Sequence, residues 1–131
     1  VIVAVDTSGS IGEKILDQFF AEMAGILDDV RPKRLIVLWC DAKVHRHDEL
    51  EDASDLNVVR AKGAPGRGGT AFEPVFDWIR DVGITPDALV YLTDGFGSFP
   101  RDEPSYPTIW GSIEKTAKYP FGDVVDIPIA A

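Results

Sequence analysis

Five polar side chains carry the clearest potential for metal chemistry in this sequence. Asp6, Ser8 and Ser10 follow an apolar run, Thr70 follows a glycine-rich segment, and Asp94 follows a later apolar run. Two carboxylates and three hydroxyls are hard oxygen ligands, which Mg²⁺, Mn²⁺ and Ca²⁺ prefer, whereas zinc and copper favour nitrogen and sulfur. These residue types therefore predict a site for Mg²⁺, Mn²⁺ or Ca²⁺ if the fold brings them together.

The segments around these residues predict the elements that would position them. Short apolar runs indicate strands buried on both faces, and apolar residues at helical spacing indicate amphipathic helices. The predicted strands are Val1–Val5, Arg34–Cys40, a charged antiparallel edge strand Lys43–Asp48, Ala88–Thr93, Thr108–Gly111 and Val124–Ile129, and the predicted helices span 11–30 and 72–82. Residues 49–62 are predicted to form a polar connection with only a thin apolar signal.

This order of elements predicts an α/β fold with three layers, α/β/α. Strands that alternate with helices build a Rossmann-like, doubly wound, mostly parallel sheet with helices on both faces, here with one antiparallel edge strand. In such sheets the ligand crevice lies beyond the carboxyl ends of the strands, where the strand order reverses. Asp6 and Asp94 follow predicted strands and Thr70 precedes a predicted helix, so these side chains are expected at that crevice.

The pattern D-x-S-x-S at Asp6, Ser8 and Ser10, with the later Thr70 and the T-D-G at Asp94, resembles the metal ion-dependent adhesion site of von Willebrand factor A (VWA) domains. The resemblance covers nearly the whole chain, because the element order is also similar to that fold. It implies that the hydroxyls bind Mg²⁺ (or Mn²⁺ or Ca²⁺) directly while an Asp acts through water. It therefore implies a metal-dependent protein-binding module that captures an Asp or Glu of a partner protein.

The phrases VAVDTSGSIG, GRGGTAFEPVF and LVYLTDGFG resemble, more narrowly, the VWA-like carboxyl-terminal domain of predicted bacterial metal-dependent peptidases. In those proteins an upstream segment carries the peptidase-like zinc motif, and no H-E-x-x-H occurs in these 131 residues. The resemblance thus implies an accessory domain that is not itself an enzyme. Because Val1 opens directly into an apolar strand, residues 1–131 are expected to be a single domain cut from a longer chain.

Two other interpretations of the same residues stay open. Ser10 with Glu13, and Thr70 with Glu73, form S/T-x-x-E capping boxes, so the hydroxyls could serve only to begin two helices of a structural domain whose site is unused. Alternatively, Asp6 could be the nucleophile of a magnesium-dependent phosphohydrolase or phosphotransferase. The second alternative is disfavoured, because a serine stands where such enzymes usually need a second carboxylate and no Lys follows a strand at this edge.

Three aromatic residues, Phe96, Phe99 and Tyr106, lie in a loop rich in Pro and Gly just after the last of the five site residues. Aromatic side chains beside an open metal position could anchor a partner protein, or they could pack under the loop as a small cluster. His45 and His47 share one face of the predicted edge strand, where solvated side chains are more usual than metal ligands.

Composition narrows the classes of partner. The chain has 22 acidic and 13 basic residues and a formal net charge of −9, which argues against binding nucleic acid or an anionic membrane because both need a positive field. Cys40 is the only cysteine, which excludes an internal disulfide, and its place in an apolar strand predicts an inert core residue. No apolar run reaches the ~18–20 residues of a membrane helix and no signal peptide is visible, so a cytoplasmic location is expected.

Overall fold

The computed structural model describes residues 1–9, 11–61, 63, 66, 68–114 and 116–127. These residues form six strands, β1 (Ile2–Asp6), β2 (Leu35–Cys40), β3 (Val44–Leu50), β4 (Leu89–Thr93), β5 (Thr108–Ser112) and β6 (Asp123–Asp126). They also form three helices, α1 (Glu13–Asp29), α2 (Ala53–Ala61) and α3 (Glu73–Val82). Within these residues, no helix combines the length and apolar character needed to cross a membrane.

The strands form one sheet in the order β3-β2-β1-β4-β5-β6. β3 runs antiparallel to β2, and every other neighbouring pair is parallel. β2 and β3 therefore lie on one side of β1, and the chain then crosses over so that β4, β5 and β6 lie on the other side. This confirms the predicted doubly wound, mostly parallel sheet with one antiparallel edge strand, and it puts the reversal of strand order between β1 and β4.

Each face of the sheet has its own hydrophobic core, so the fold has the three predicted layers. Alternate residues of a strand point to opposite faces, and the α1 face and the α3 face are named here for the helix that covers each. The α1 face joins β1 and β2 to α1 and α2 through Val3, Val5, Val37, Trp39, Leu16, Phe19, Met23, Leu56 and Val59, among others. The α3 face joins the sheet to α3 through Ile2, Ala4, Leu38, Cys40, Tyr91, Trp110, Phe72, Val75 and Ile79, among others.

Helix α2 corrects the prediction of a polar connection over 49–62. Among the side chains of α2 that the structure describes, only Leu56 and Val59 are buried, which is why the apolar signal in the sequence is thin. Local side-chain bonds help to begin the helix, since the Asp52 carboxylate accepts the Ser54 amide at 2.8 Å. The last strand, β6, begins one residue before the predicted start and ends at Asp126, and Ile127 lies outside the strand. Residues 128 and 129 of the predicted strand lie outside the described residues.

Neither long helix begins at its predicted capping box. The N-cap of α1 is Gly12, after a turn in which the Ile11 amide donates to Ser8 O at 3.0 Å, and Ser10 lies outside the described residues. The N-cap of α3 is Phe72 rather than Thr70. The amides of Ala71 and Phe72 donate to Asp41 O and Ser98 O, respectively. These tertiary hydrogen bonds hold residues 71 and 72 outside the helix that the capping box predicted.

Candidate metal site

Asp6 ends β1 at the centre of the carboxyl edge of the sheet and is fully buried. Because β1 and β4 are parallel neighbours with Val5 opposite Leu92, the next residues along each strand also meet. Thr93 Oγ1 accordingly donates to Asp6 Oδ2 at 2.6 Å, and the Ser8 amide donates to Asp6 Oδ1 at 2.9 Å. Both oxygens of the carboxylate are therefore held in a fixed orientation by the two strands whose order reverses here.

Asp94 follows β4 and is only 7% exposed. Its Oδ1 accepts the Phe96 amide at 3.2 Å, and the Gly95 amide donates to Thr93 Oγ1 at 3.1 Å. Gly95 has φ +86°, and a Cβ there would come within 2.6 Å of the Tyr119 hydroxyl, so this position requires glycine. The turn that follows β4 thus directs the second carboxylate toward the same edge as the first.

The carboxylate of Asp94 is close enough to act on the pKa of Asp6. Burial raises the pKa of Asp6, the negative charge of Asp94 raises it further, and the bonds from Thr93 and Ser8 offset part of the rise. Two buried carboxylates that repel each other favour a cation between or beside them. The oxygen chemistry of this pair therefore suits a hard divalent cation.

Thr70 reaches the same edge through the glycine-rich segment. Gly68 O accepts the Gly9 amide at 3.0 Å, which ties this segment to the turn after β1. A Cβ on Gly97 would come within 2.8 Å of Thr70 Cγ2, so Thr70 also packs closely against the loop after β4. The structure thus brings together the neighbourhoods of Asp6, Ser8, Thr70 and Asp94, while Ser10 is outside the described residues.

A further carboxylate at this edge, Asp41, was missed by the sequence analysis. It follows β2 directly and is buried. Its Oδ2 accepts the Gly68 amide at 2.9 Å, and its Oδ1 lies 2.7 Å from His45 Nε2. Burial raises the pKa of Asp41, but the bonds from Gly68, His45 and Lys43 outweigh burial and leave the pKa below its ordinary value. The signal in the sequence was its position, because Asp41 follows a buried strand just as Asp94 does.

The three aromatic residues predicted to bind a partner differ from one another in how far they are exposed. Phe96 is 62% exposed, next to Asp94. Phe99 is half-buried, with its ring stacked on Phe72 at 4.6 Å and edge-on to Trp110 at 5.5 Å. Tyr106 is also half-buried against the α3 face. Of the three, Phe96 offers the most aromatic surface to another protein.

The two histidines and the cysteine considered in the sequence each contact other side chains of the fold. His45 pairs with Asp41, and the ring of His47 lies 5.3 Å from Trp78. Among the described residues, no three His, Cys, Asp or Glu side chains group as they would around a metal ion, so a cation at this edge would depend on the hydroxyls as well as on Asp6 and Asp94. Cys40 is buried, and burial raises the pKa of its thiol to about 12.

Comparison with known proteins identifies the family. A family model described as VWA-like domain (DUF2201) matches residues 1–128. The chain therefore belongs to this family of VWA-like domains, in agreement with its sheet order and with the resemblance noted in its sequence. A search of curated proteins found no significant match.

Proposed function

We propose that this VWA-like domain is a divalent-metal-dependent protein-binding module. Ser8, Ser10 and Thr70 would supply hydroxyl ligands, and Asp6 and Asp94 would supply carboxylates directly or through water. The cation, Mg²⁺ or else Mn²⁺ or Ca²⁺, would supply an open coordination position for an Asp or Glu of the partner protein. The bond from Thr93 Oγ1 to Asp6 Oδ2 carries this proposal, because it joins β1 to β4 and fixes a buried carboxylate at the reversal of strand order.

The chain's own residues account for the orientation of the two carboxylates. Thr93 and the Ser8 amide hold Asp6, and the Phe96 amide holds one oxygen of Asp94. Preorganised ligands of this kind do not have to be ordered when the cation arrives, which favours binding. The same contacts place the exposed ring of Phe96 two residues from a proposed ligand, where it would pack against an apolar neighbour of the captured carboxylate.

The residues beside Asp6 favour a binding role over catalysis by a carboxylate nucleophile. Such a nucleophile usually works with a second carboxylate beside it, but Ser8 stands in that position. As part of the same proposal, the domain is an accessory part of a longer peptidase-like protein. That part of the proposal is supported by the sequence phrases that resemble predicted bacterial metal-dependent peptidases.

Calorimetric titration of Mg²⁺ and Mn²⁺ tests the metal site. Wild type is expected to bind one ion, and Asp6→Asn and Asp94→Asn are expected to weaken binding by tenfold or more, since each removes a negative charge from the site. Asp81→Asn is the matched control, because Asp81 is an exposed acid on α3 and its loss changes the net charge equally. Absence of binding by wild type, or equal weakening in the control, would contradict the proposal.

Selection from a displayed random peptide library tests capture of a carboxylate. Peptides bound in Mg²⁺ and released by EDTA are expected to be enriched in Asp or Glu, and replacing that acid with Asn or Gln should abolish binding. Phe96→Ala should reduce the preference for an apolar residue near the acid while leaving Mg²⁺ affinity unchanged. Enrichment without acidic residues, or binding that persists in EDTA, would count against this mode of recognition.

A further inference from the structure

Asp41 connects three segments at the carboxyl edge of the sheet. Its side chain accepts the Gly68 amide at Oδ2, and at Oδ1 it accepts the Lys43 amide at 3.2 Å and contacts His45 Nε2 at 2.7 Å. Its main-chain carbonyl accepts the Ala71 amide at 3.1 Å. A buried carboxylate that uses both oxygens and its own carbonyl in this way holds its neighbours in one arrangement.

These bonds lie on both sides of Thr70. Gly68 is two residues before Thr70 and is bound by the Asp41 side chain, whereas Ala71 follows Thr70 and is bound by the Asp41 carbonyl. Gly68 also approaches so closely that a Cβ there would lie 2.8 Å from Asp41 Oδ2. Asp41 therefore holds the backbone on both sides of Thr70.

His45 in turn holds Asp41 from β3. The imidazole contacts Oδ1 only, which leaves Oδ2 for Gly68. An asparagine at position 41 has a single side-chain oxygen, so if that oxygen accepted the Gly68 amide, the asparagine NH₂ group would face the Lys43 amide, which is also a donor. The carboxylate is thus required to accept the Lys43 and Gly68 amides together.

We infer that Asp41 is a positioning residue for the proposed metal site, holding the segment that presents Thr70. This inference rests on the proposed function. Groups that orient metal ligands without touching the ion typically change metal affinity 10–100-fold when they are mutated. Asp41→Asn is therefore expected to weaken Mg²⁺ binding about tenfold, although Asp41 is not itself a proposed ligand.

The test combines calorimetry with amide hydrogen exchange in metal-free protein. Asp41→Asn should weaken Mg²⁺ binding and speed exchange at the Gly68 amide even when no metal is present. Asp48→Asn is the matched control, because Asp48 is another buried carboxylate next to β2, accepting Trp39 Nε1 and Arg46 Nε at 2.8 Å each. Asp48→Asn should leave both Mg²⁺ affinity and Gly68 exchange unchanged.

A second variant tests the same contact in case Asp41→Asn does not fold. Gly68→Ala keeps the carboxylate but forces its oxygen and the segment apart, so the same tenfold weakening is expected. Wild-type affinity in Asp41→Asn, or equal weakening in Asp48→Asn, would overturn the inference. If wild type binds Mg²⁺ and Asp6→Asn and Asp94→Asn weaken binding while Asp41→Asn does not, the inference fails and the proposed function stands; if wild type does not bind, both fail.

Discussion

The two faces of the sheet are built in different ways. On the α1 face the core comes mainly from strands and helices, as in the packing of Phe19 and Met23 against Val3 and Val5. On the α3 face a network of rings joins Tyr91 and Trp110 of the sheet to residues of the connecting loops. Those loop residues are Phe99, Tyr119 and Phe121, and Tyr106 packs against the same core.

This difference couples one face to the candidate site. Phe99 lies in the loop that begins at Asp94, and Tyr119 lies beneath Gly95 of the same loop. The rings of Trp110 and Tyr119 stack at 4.8 Å, so the turn that carries the second carboxylate rests on the aromatic core. Loss of packing on the α3 face should therefore disturb the site more than an equal loss on the α1 face.

The largest expected effect comes from Trp110→Ala. Removing this fully buried ring should lower the free energy of unfolding by about 3–5 kcal/mol, and Phe19→Ala on the α1 face should lower it by a similar amount. Only Trp110→Ala should also speed hydrogen exchange at the amides of Gly95 and Phe96, which bond to Thr93 and Asp94. Denaturant unfolding and exchange measurements would check this, and equal exchange in the two variants would remove the distinction between the faces.

A smaller effect is expected within the loop itself. Phe99→Ala should lower the free energy of unfolding by about 2 kcal/mol, because its half-buried ring stacks on Phe72 and meets Trp110. Phe96→Ala should change it by less than about 0.5 kcal/mol, because that ring is mostly exposed. Urea unfolding of both variants provides the measurement. A large loss in Phe96→Ala would mean that the exposed ring belongs to the core.

The last expected effect is absent at neutral pH and develops only at alkaline pH. Burial raises the pKa of Cys40 from 9.0 to about 12, and Cys40 Sγ lies 3.2 Å from Tyr91 Oη on the α3 face. The unfolded thiol ionises first, so this contribution to stability is complete below pH 9 and is lost as pH rises toward 12. The slope is of the order of 1 kcal/mol per pH unit.

Replacing the thiol tests that slope. Cys40→Ala should make the fall in unfolding free energy between pH 9 and 11 shallower, whereas Val37→Ala on the α1 face should lower stability without changing the slope. Urea titrations at several pH values would measure both. An unchanged slope in Cys40→Ala would show that the thiol ionises equally in the folded and unfolded states.

The sequence predicts the central part of the fold because its signals there are strong. β1, β2 and most of β4 are buried on both faces, so their apolar runs stand out and their order follows from the helices between them. Helix α2 was missed because only two of its described side chains, Leu56 and Val59, are buried. The start of α1 was misplaced because a local turn from Ser8 to Ile11 precedes it, and the start of α3 was misplaced because the amides of Ala71 and Phe72 bond to distant segments.

The site was predictable only in part. The rule for carboxyl ends of parallel strands placed Asp6 and Asp94 at one edge, and the structure has them there. The contact between Asp41 and Gly68 depends on the path of the glycine-rich segment. That path could not be predicted, because the segment has no hydrophobic periodicity that would indicate a helix or a strand. The loop that carries Phe96 and Phe99 is equally hard to predict. Phe99 packs inward beside the bridge between Ala71 and Ser98, but no local sequence pattern distinguishes Phe99 from the exposed Phe96.

The bond between Thr93 and Asp6 spans 87 residues of sequence, which has a consequence for folding. At synthesis rates of about 5–20 residues per second, β4 emerges roughly 5–20 seconds after β1. During that interval the edge of β1 that will receive β4 is unpaired and open to association with other chains. Closing so long a loop is slow and comes late, so the proposed cation site would be completed only on a chain whose central strands have already docked.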